Sequence, residues 1–86
     1  MSVALEVAGG RGEARSFDGE FLLASVDSPI APGTPLRIEL GIGEGLSVEA
    51  RCVGSRRQPD GSYEVRFRLV SLRREARLVI RSTLPS

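Results

Sequence analysis

Between Leu46 and Val70 the chain alternates oily and charged side chains on both sides of a single proline–glycine turn. Tyr63, Val65, Phe67 and Leu69 fall on one face, with Glu64, Arg66 and Arg68 between them. That is the period of a strand with one buried side. Ahead of the turn, Leu46, Val48, Ala50 and Cys52 alternate in the same way with Ser47, Glu49 and Arg51. Gln58-Pro59-Asp60-Gly61 supplies the reversal, because Pro59 pre-sets φ and Gly61 accepts the positive φ that closes a short hairpin. After Val70 the period changes. Leu72, Ala76, Val79 and Ile80 share a helical face, and Arg73, Arg74, Arg77 and Arg81 point away from it. A helix over about residues 71–82 is predicted, with Ser71 as its N-cap.

The remaining segments must cover the apolar face of that hairpin. Ser2 to Ala8 alternates Val3, Leu5 and Val7 with Ala4 and Glu6, and Gly9-Gly10, with Gly12 close behind, marks a turn. Glu13 to Phe17 reads as the returning strand, and Glu20 to Ser25 as the next, with a bend or bulge expected at Gly19. Val26 to Pro35 holds three prolines and a glycine, which makes it a loop, with Ile30 as a plug for one end of the core. Leu36, Ile38 and Leu40 form another alternating strand. Gly41 to Gly45 is glycine-rich but joins two strands, with no helix start and no lysine behind it, so it is not a phosphate cradle. Six strands and a terminal helix in 86 residues predict one all-β domain, a six-stranded antiparallel β-barrel or a strongly curled sheet, with strands within 2–70. Closure would remove the edges that such short strands expose. The helix would plug an open end or lie along the side.

Composition narrows the chemistry. The chain has twelve basic residues, all arginine, and no histidine. Without histidine, and with Cys52 on the inward face of its strand, no nucleophile–base pair can be written, so the chain is not expected to be an enzyme. Its carboxylates, among them Glu6, Glu39 and Glu49, are scattered without metal-ligand spacing, and no metal is expected. A lone cysteine fits a reducing cytoplasm, and neither a signal peptide nor a membrane-spanning apolar run is visible. Charge is unevenly placed. Residues 1–45 carry three arginines against seven acids, a balance of −4, and residues 46–86 carry nine against four, a balance of +5. Arg51, Arg66 and Arg68, with Arg56 and Arg57 near the turn, could serve a single-stranded nucleic acid. Such sites add stacking aromatics, whereas Tyr63 and Phe67 here share the inward register and Glu49 and Glu64 interrupt the basic patch. A nucleic-acid module is therefore the lesser reading.

The order of the signals resembles the PilZ domain, a bacterial receptor module for cyclic di-GMP. The pieces that carry the resemblance are Ser16-x-x-Gly19, Ile30-Ala31-Pro32-Gly33-Thr34-Pro35-Leu36, Val48 to Gly54 and Tyr63-Glu64-Val65-Arg66-Phe67, within Val3 to Ile80. The resemblance implies a six-stranded barrel of the split-barrel type with a C-terminal helix. It also implies two ligand motifs, an Arg-x-x-x-Arg arm ahead of the first strand and an Asp/Asn-x-Ser-x-x-Gly turn. Ser16 and Gly19 match the second, but Ala14 stands where its Asp or Asn belongs. Arg11-x-x-x-Arg15 has the letters of the first motif, but it lies inside the first hairpin. Arg11, Arg15, Ser16 and Gly19 are thus the residues of a degenerate nucleotide site. No cofactor is expected, and cyclic di-GMP is an alternative rather than the expectation.

Family members without these motifs act as protein-binding adaptors. The expectation is therefore a cytoplasmic adaptor with a protein partner in a bacterial signalling or motility assembly, and no membrane insertion. Two surfaces are candidates for the contact, the wet strand face with Arg51, Glu64, Arg66 and Arg68, and the helix exterior with Arg73, Arg74, Arg77, Arg81 and Leu78. A homodimer through Leu78, Leu84 or the weak early strands is left open.

Overall fold

The computed structural model describes residues 3–7 and 10–86. Its elements are β1 (Val3–Val7), β2 (Gly10–Phe17), β3 (Phe21–Val26), β4 (Pro35–Leu40), β5 (Leu46–Arg57), β6 (Tyr63–Val70) and α1 (Arg74–Thr83). The strands close into an antiparallel barrel in the order β1-β2-β3-β6-β5-β4. The expected six-stranded barrel with a C-terminal helix is the fold adopted. Of the turn expected at Gly9-Gly10, Gly9 lies outside the described residues and Gly10 is the first residue of β2, opposite Val7.

The β5–β6 hairpin is the frame. Cys52 stands opposite Phe67, and Ala50 opposite Leu69. On the other side of β6, Leu22 and Ala24 of β3 stand opposite Phe67 and Val65. Phe67 is fully buried between a small neighbour and a larger one, the large–small matching that fills a narrow barrel. Phe17, Leu5, Leu22, Ile38, Leu40 and Val26 complete the interior, and no polar side chain among the described residues is buried with them. The barrel is a packed core, so any binding site belongs to its exterior.

Each end is sealed by a different device. At one end, Ile80 and Leu84 join the same core cluster as Phe17, and Leu72 packs against it. The Phe17 N–H donates to the Pro85 carbonyl at 2.8 Å, pinning the tail behind the helix. α1 is therefore a plug and not a side layer. At the other end Ile30 packs on the core, as the sequence suggests. Its loop is tied to β5 by Gly33 N–H to Cys52 O (2.7 Å) and Cys52 N–H to Thr34 O (3.0 Å).

Several local expectations are corrected. Ser71 is not the N-cap. It turns the chain at φ 52°, and the helix begins at Arg74 behind Arg73, which makes no side-chain cap bond. A helix resting on a barrel rim buries a narrow strip, Ile80 and then Leu84 with Ala76 half-buried, so Val79 stays 43% exposed. Leu84 is 3% exposed and is not available for a dimer contact. The chain does bend at Gly19, at φ 105°, and a further register shift between Ala14 and Ser16, which the sequence did not suggest, makes Arg15 an extra residue in β2. β2 also starts earlier than expected, at Gly10, so Gly12 is a strand residue opposite Val26 and not part of a turn. A Cβ at Gly12 would lie 1.8 Å from the Ser25 carbonyl oxygen, so only glycine lets the two strands approach this closely.

Candidate interaction surface

The sequence-derived nucleotide residues are spread along β2 and its turn into β3 and are not gathered into one site. Arg11 and Arg15 project outward, and both line a groove of about 320 Å³ that they share with Glu13, Asp27 and Asp60. The Arg11 N–H donates to Asp27 Oδ1 at 3.0 Å. Asp60 accepts from the Ser62 hydroxyl (2.6 Å) and N–H (2.9 Å). Those two bonds hold its carboxyl below the usual range, with Arg15 adding a smaller electrostatic contribution. Two arginines facing three carboxylates are a poor cradle for a phosphodiester. Ser16 and Gly19 are absent from this groove. Ser16 is half-buried opposite Leu23, and Gly19 sits in the β2–β3 turn at φ 105°, with Arg81 of the helix 3.8 Å from where its Cβ would be. Asp18 organises that turn. Its Oδ1 accepts from the N–H groups of Phe21 (2.8 Å) and Glu20 (2.9 Å), which lower its pKa. Ala14 is fully buried in the core.

The partner-binding candidates of the sequence do converge in part. On the exterior of β3, β6 and β5, Arg51 stands opposite Arg68, which stands opposite Phe21. Like charges directly opposite are unfavourable, and each guanidinium is drawn off to another partner. Arg68 Nε meets Glu20 Oε2 at 3.3 Å, and Arg51 Nη1 donates to the Gly33 carbonyl at 3.1 Å. One row along, Arg66 lies over the Phe21 ring at 5.8 Å and stands opposite both Leu23 and Gly54. The next row holds the Arg56–Glu64 pair, at 3.4 Å.

Arg66, Arg56 and Glu64 line a notch of about 290 Å³ together with Leu23, Val53 and Ser55, with Gly54 as a bare position beside it. Val53 is 47% exposed. The notch arises from the second bulge of the barrel, between Cys52 and Gly54, which places Val53 and Gly54 together opposite one β6 residue. Sequence reasoning names the arginines but misses Phe21, Leu23 and Val53. Phe21-Leu22-Leu23-Ala24 is apolar throughout, so its inward register is not visible from the letters alone. For Val53 the sequence held two signals, since alternation from the inward Cys52 places it outside and a glycine inside a strand marks a bulge.

Arg73 and Arg77 belong to the other candidate surface. Both are exposed, Arg77 in α1 and Arg73 at its N-cap, where it borders a cleft of about 380 Å³ against Leu46, Glu49 and Val70. Leu78, 58% exposed, and Val79 share the helix exterior. Cys52 is buried, its Sγ 3.4 Å from the Ile30 carbonyl, and burial pushes its thiol pKa up. Among the described residues no group of three metal-ligating side chains is assembled, and no helix is long and apolar enough to cross a membrane. No family model matches the chain, and neither the curated proteins nor the solved structures contain a significant match to it.

Proposed function

We propose that the chain is a PilZ-like adaptor that binds a protein partner in a bacterial signalling or motility assembly in the cytoplasm, without cyclic di-GMP. One observation carries the reading. Phe21, Leu23 and Val53 point outward on a barrel whose interior is already full, and Arg51, Arg66 and Arg68 surround them. Aromatic and aliphatic anchors ringed by arginine are the composition of a protein-binding patch. Against a nucleotide stand the burial of Ala14 and the carboxylates of Glu13, Asp27 and Asp60 beside Arg11 and Arg15.

Calorimetric titration with cyclic di-GMP at tens of micromolar protein separates receptor from adaptor, and no saturable heat is expected. Binding with a stoichiometry near one or two would make the chain a receptor with a divergent site. Steeply salt-dependent retention on single-stranded DNA would favour the nucleic-acid reading. Arg66→Glu with Arg68→Glu should abolish partner capture while leaving the unfolding midpoint near wild type, because both side chains are exposed.

A further inference from the structure

β5 outruns the strand beside it. β4 accompanies it from Leu46 to Arg51, and the last backbone bonds on that side are those between Cys52 and the Gly33–Thr34 segment. Among the described residues, the strand from Val53 to Arg57 pairs with β6 alone. Alternation decides which groups face the open side. Cys52 bonds away from β6, whereas the Gln58 N–H donates to Ser62 across the turn, on the β6 side, at 2.7 Å. With the one-residue bulge between them, Arg56 faces β6, and Ser55 and Arg57 direct their N–H and C=O groups to the free edge.

An unpaired edge is a template for another strand, and proteins guard such edges with charge. Here the guards carry a single sign. Arg56 and Arg57 are exposed along this stretch, Arg51 is exposed just ahead of it opposite Pro35 of β4, and no acidic side chain of β5 lies among them. The carboxylate that reaches Arg56 is Glu64 of β6, in an exposed pair that holds it weakly. A one-signed guard discriminates. Two copies of this edge repel each other, while an acidic strand is attracted. Val53 adds a half-exposed apolar side chain at the start of the same segment.

We propose that an acidic, extended segment of the partner adds as a strand along Val53–Arg57 of β5. It would bond to the backbone of Ser55 and Arg57 and set its carboxylates on Arg51, Arg56 and Arg57. This rests on the adaptor reading and specifies its mode of recognition.

The probe is a fluorescein-labelled peptide of about ten residues alternating Glu and Val, long enough to span the edge, in about 50 mM salt so that exposed charges are not fully screened. Anisotropy reads affinity, and amide exchange by NMR reads location. Saturable binding that slows exchange at the Ser55 and Arg57 amides is expected. Methylating the peptide's pairing amides, or making Ser55→Pro, should each weaken it at least about tenfold, because strand addition depends on backbone bonds. A Lys/Val peptide should not bind, and Arg56→Glu with Arg57→Glu should reverse that preference. The methylated peptide keeps the test valid even if the proline variant unfolds. No binding of the Glu/Val peptide overturns strand addition. Binding that is indifferent to methylation and shifts only β3, β6 or α1 overturns it too, but leaves the adaptor standing. Displacement of the peptide by oligothymidylate would bring down the adaptor reading itself.

Discussion

Gly12 has no room for a side chain, because the Ser25 carbonyl occupies the place a Cβ would take. Gly12→Ala must push β2 and β3 apart, at about 1–3 kcal/mol for an overpacked site, and urea unfolding would show the loss as a lower midpoint with little change of slope. Asp18 makes the stability of the neighbouring turn depend on pH. Phe21 N–H and then Glu20 N–H lower its folded pKa below the ordinary 3.8. Its contribution is therefore complete above that value and disappears as pH falls through the folded pKa. Wild type should be more stable than Asp18→Ala at neutral pH, and the two should converge in acid. A difference that persists unchanged to about pH 2 would mean the ionised carboxylate is not the cause. Cys52 should resist alkylation in the folded protein and react on unfolding, since it is buried and its thiol pKa is raised. That residue was legible in advance, because its place on the inward face follows from alternation along β5.

Among the elements, the closing seam is the weak one. Among the described residues β1 meets β4 in two registered rows, Leu5 with Leu40 and Glu6 with Glu39, and the second sets two carboxylates opposite each other. Glu39→Lys should stabilise the barrel by about 0.2–1 kcal/mol by turning a like pair into an opposite one. The gain is net of the exposed Ser47 hydroxyl bond that Glu39 now accepts at 3.0 Å, and thermal unfolding would register it. The plug is the complementary case. Ile80→Ala should cost about 2–5 kcal/mol, because that side chain is fully buried in the core that α1 closes. Helix boundaries were the least legible feature. Val79 fits a helical stripe in the sequence, yet the rim of a barrel fully buries only Ile80 and Leu84 from that segment, while Leu72 packs on the core from ahead of the helix.

At the scale of the whole molecule, acidic and basic halves of the chain become neighbours without cancelling. The exterior of β3, β6 and β5 concentrates Arg51, Arg66 and Arg68, while Glu6 and Glu39 face out across the opposite seam. Amide exchange should follow this architecture. β5 and β6 are paired over eight registered rows and should open last, and β1, held to β4 by two, should open first. Uniform exchange across all six strands would show that the seam is no weaker than the hairpin.

Strand number, the β5–β6 hairpin, the barrel and the inward set from Val65 to Leu69 follow from the sequence alone. Alternation of apolar and charged residues is a local property, and one buried face fixes the register of a short strand. What lies on the outside was decided by tertiary structure. Whether Phe21 or Leu22 points inward depends on which strand β3 pairs with, and the bulge opposite Arg66, which sets Gly54 beside the exposed Val53, breaks the alternation that β5 otherwise follows. The free edge of β5 likewise exists only because β4 ends its pairing at Arg51, a mismatch in strand length that no single segment contains.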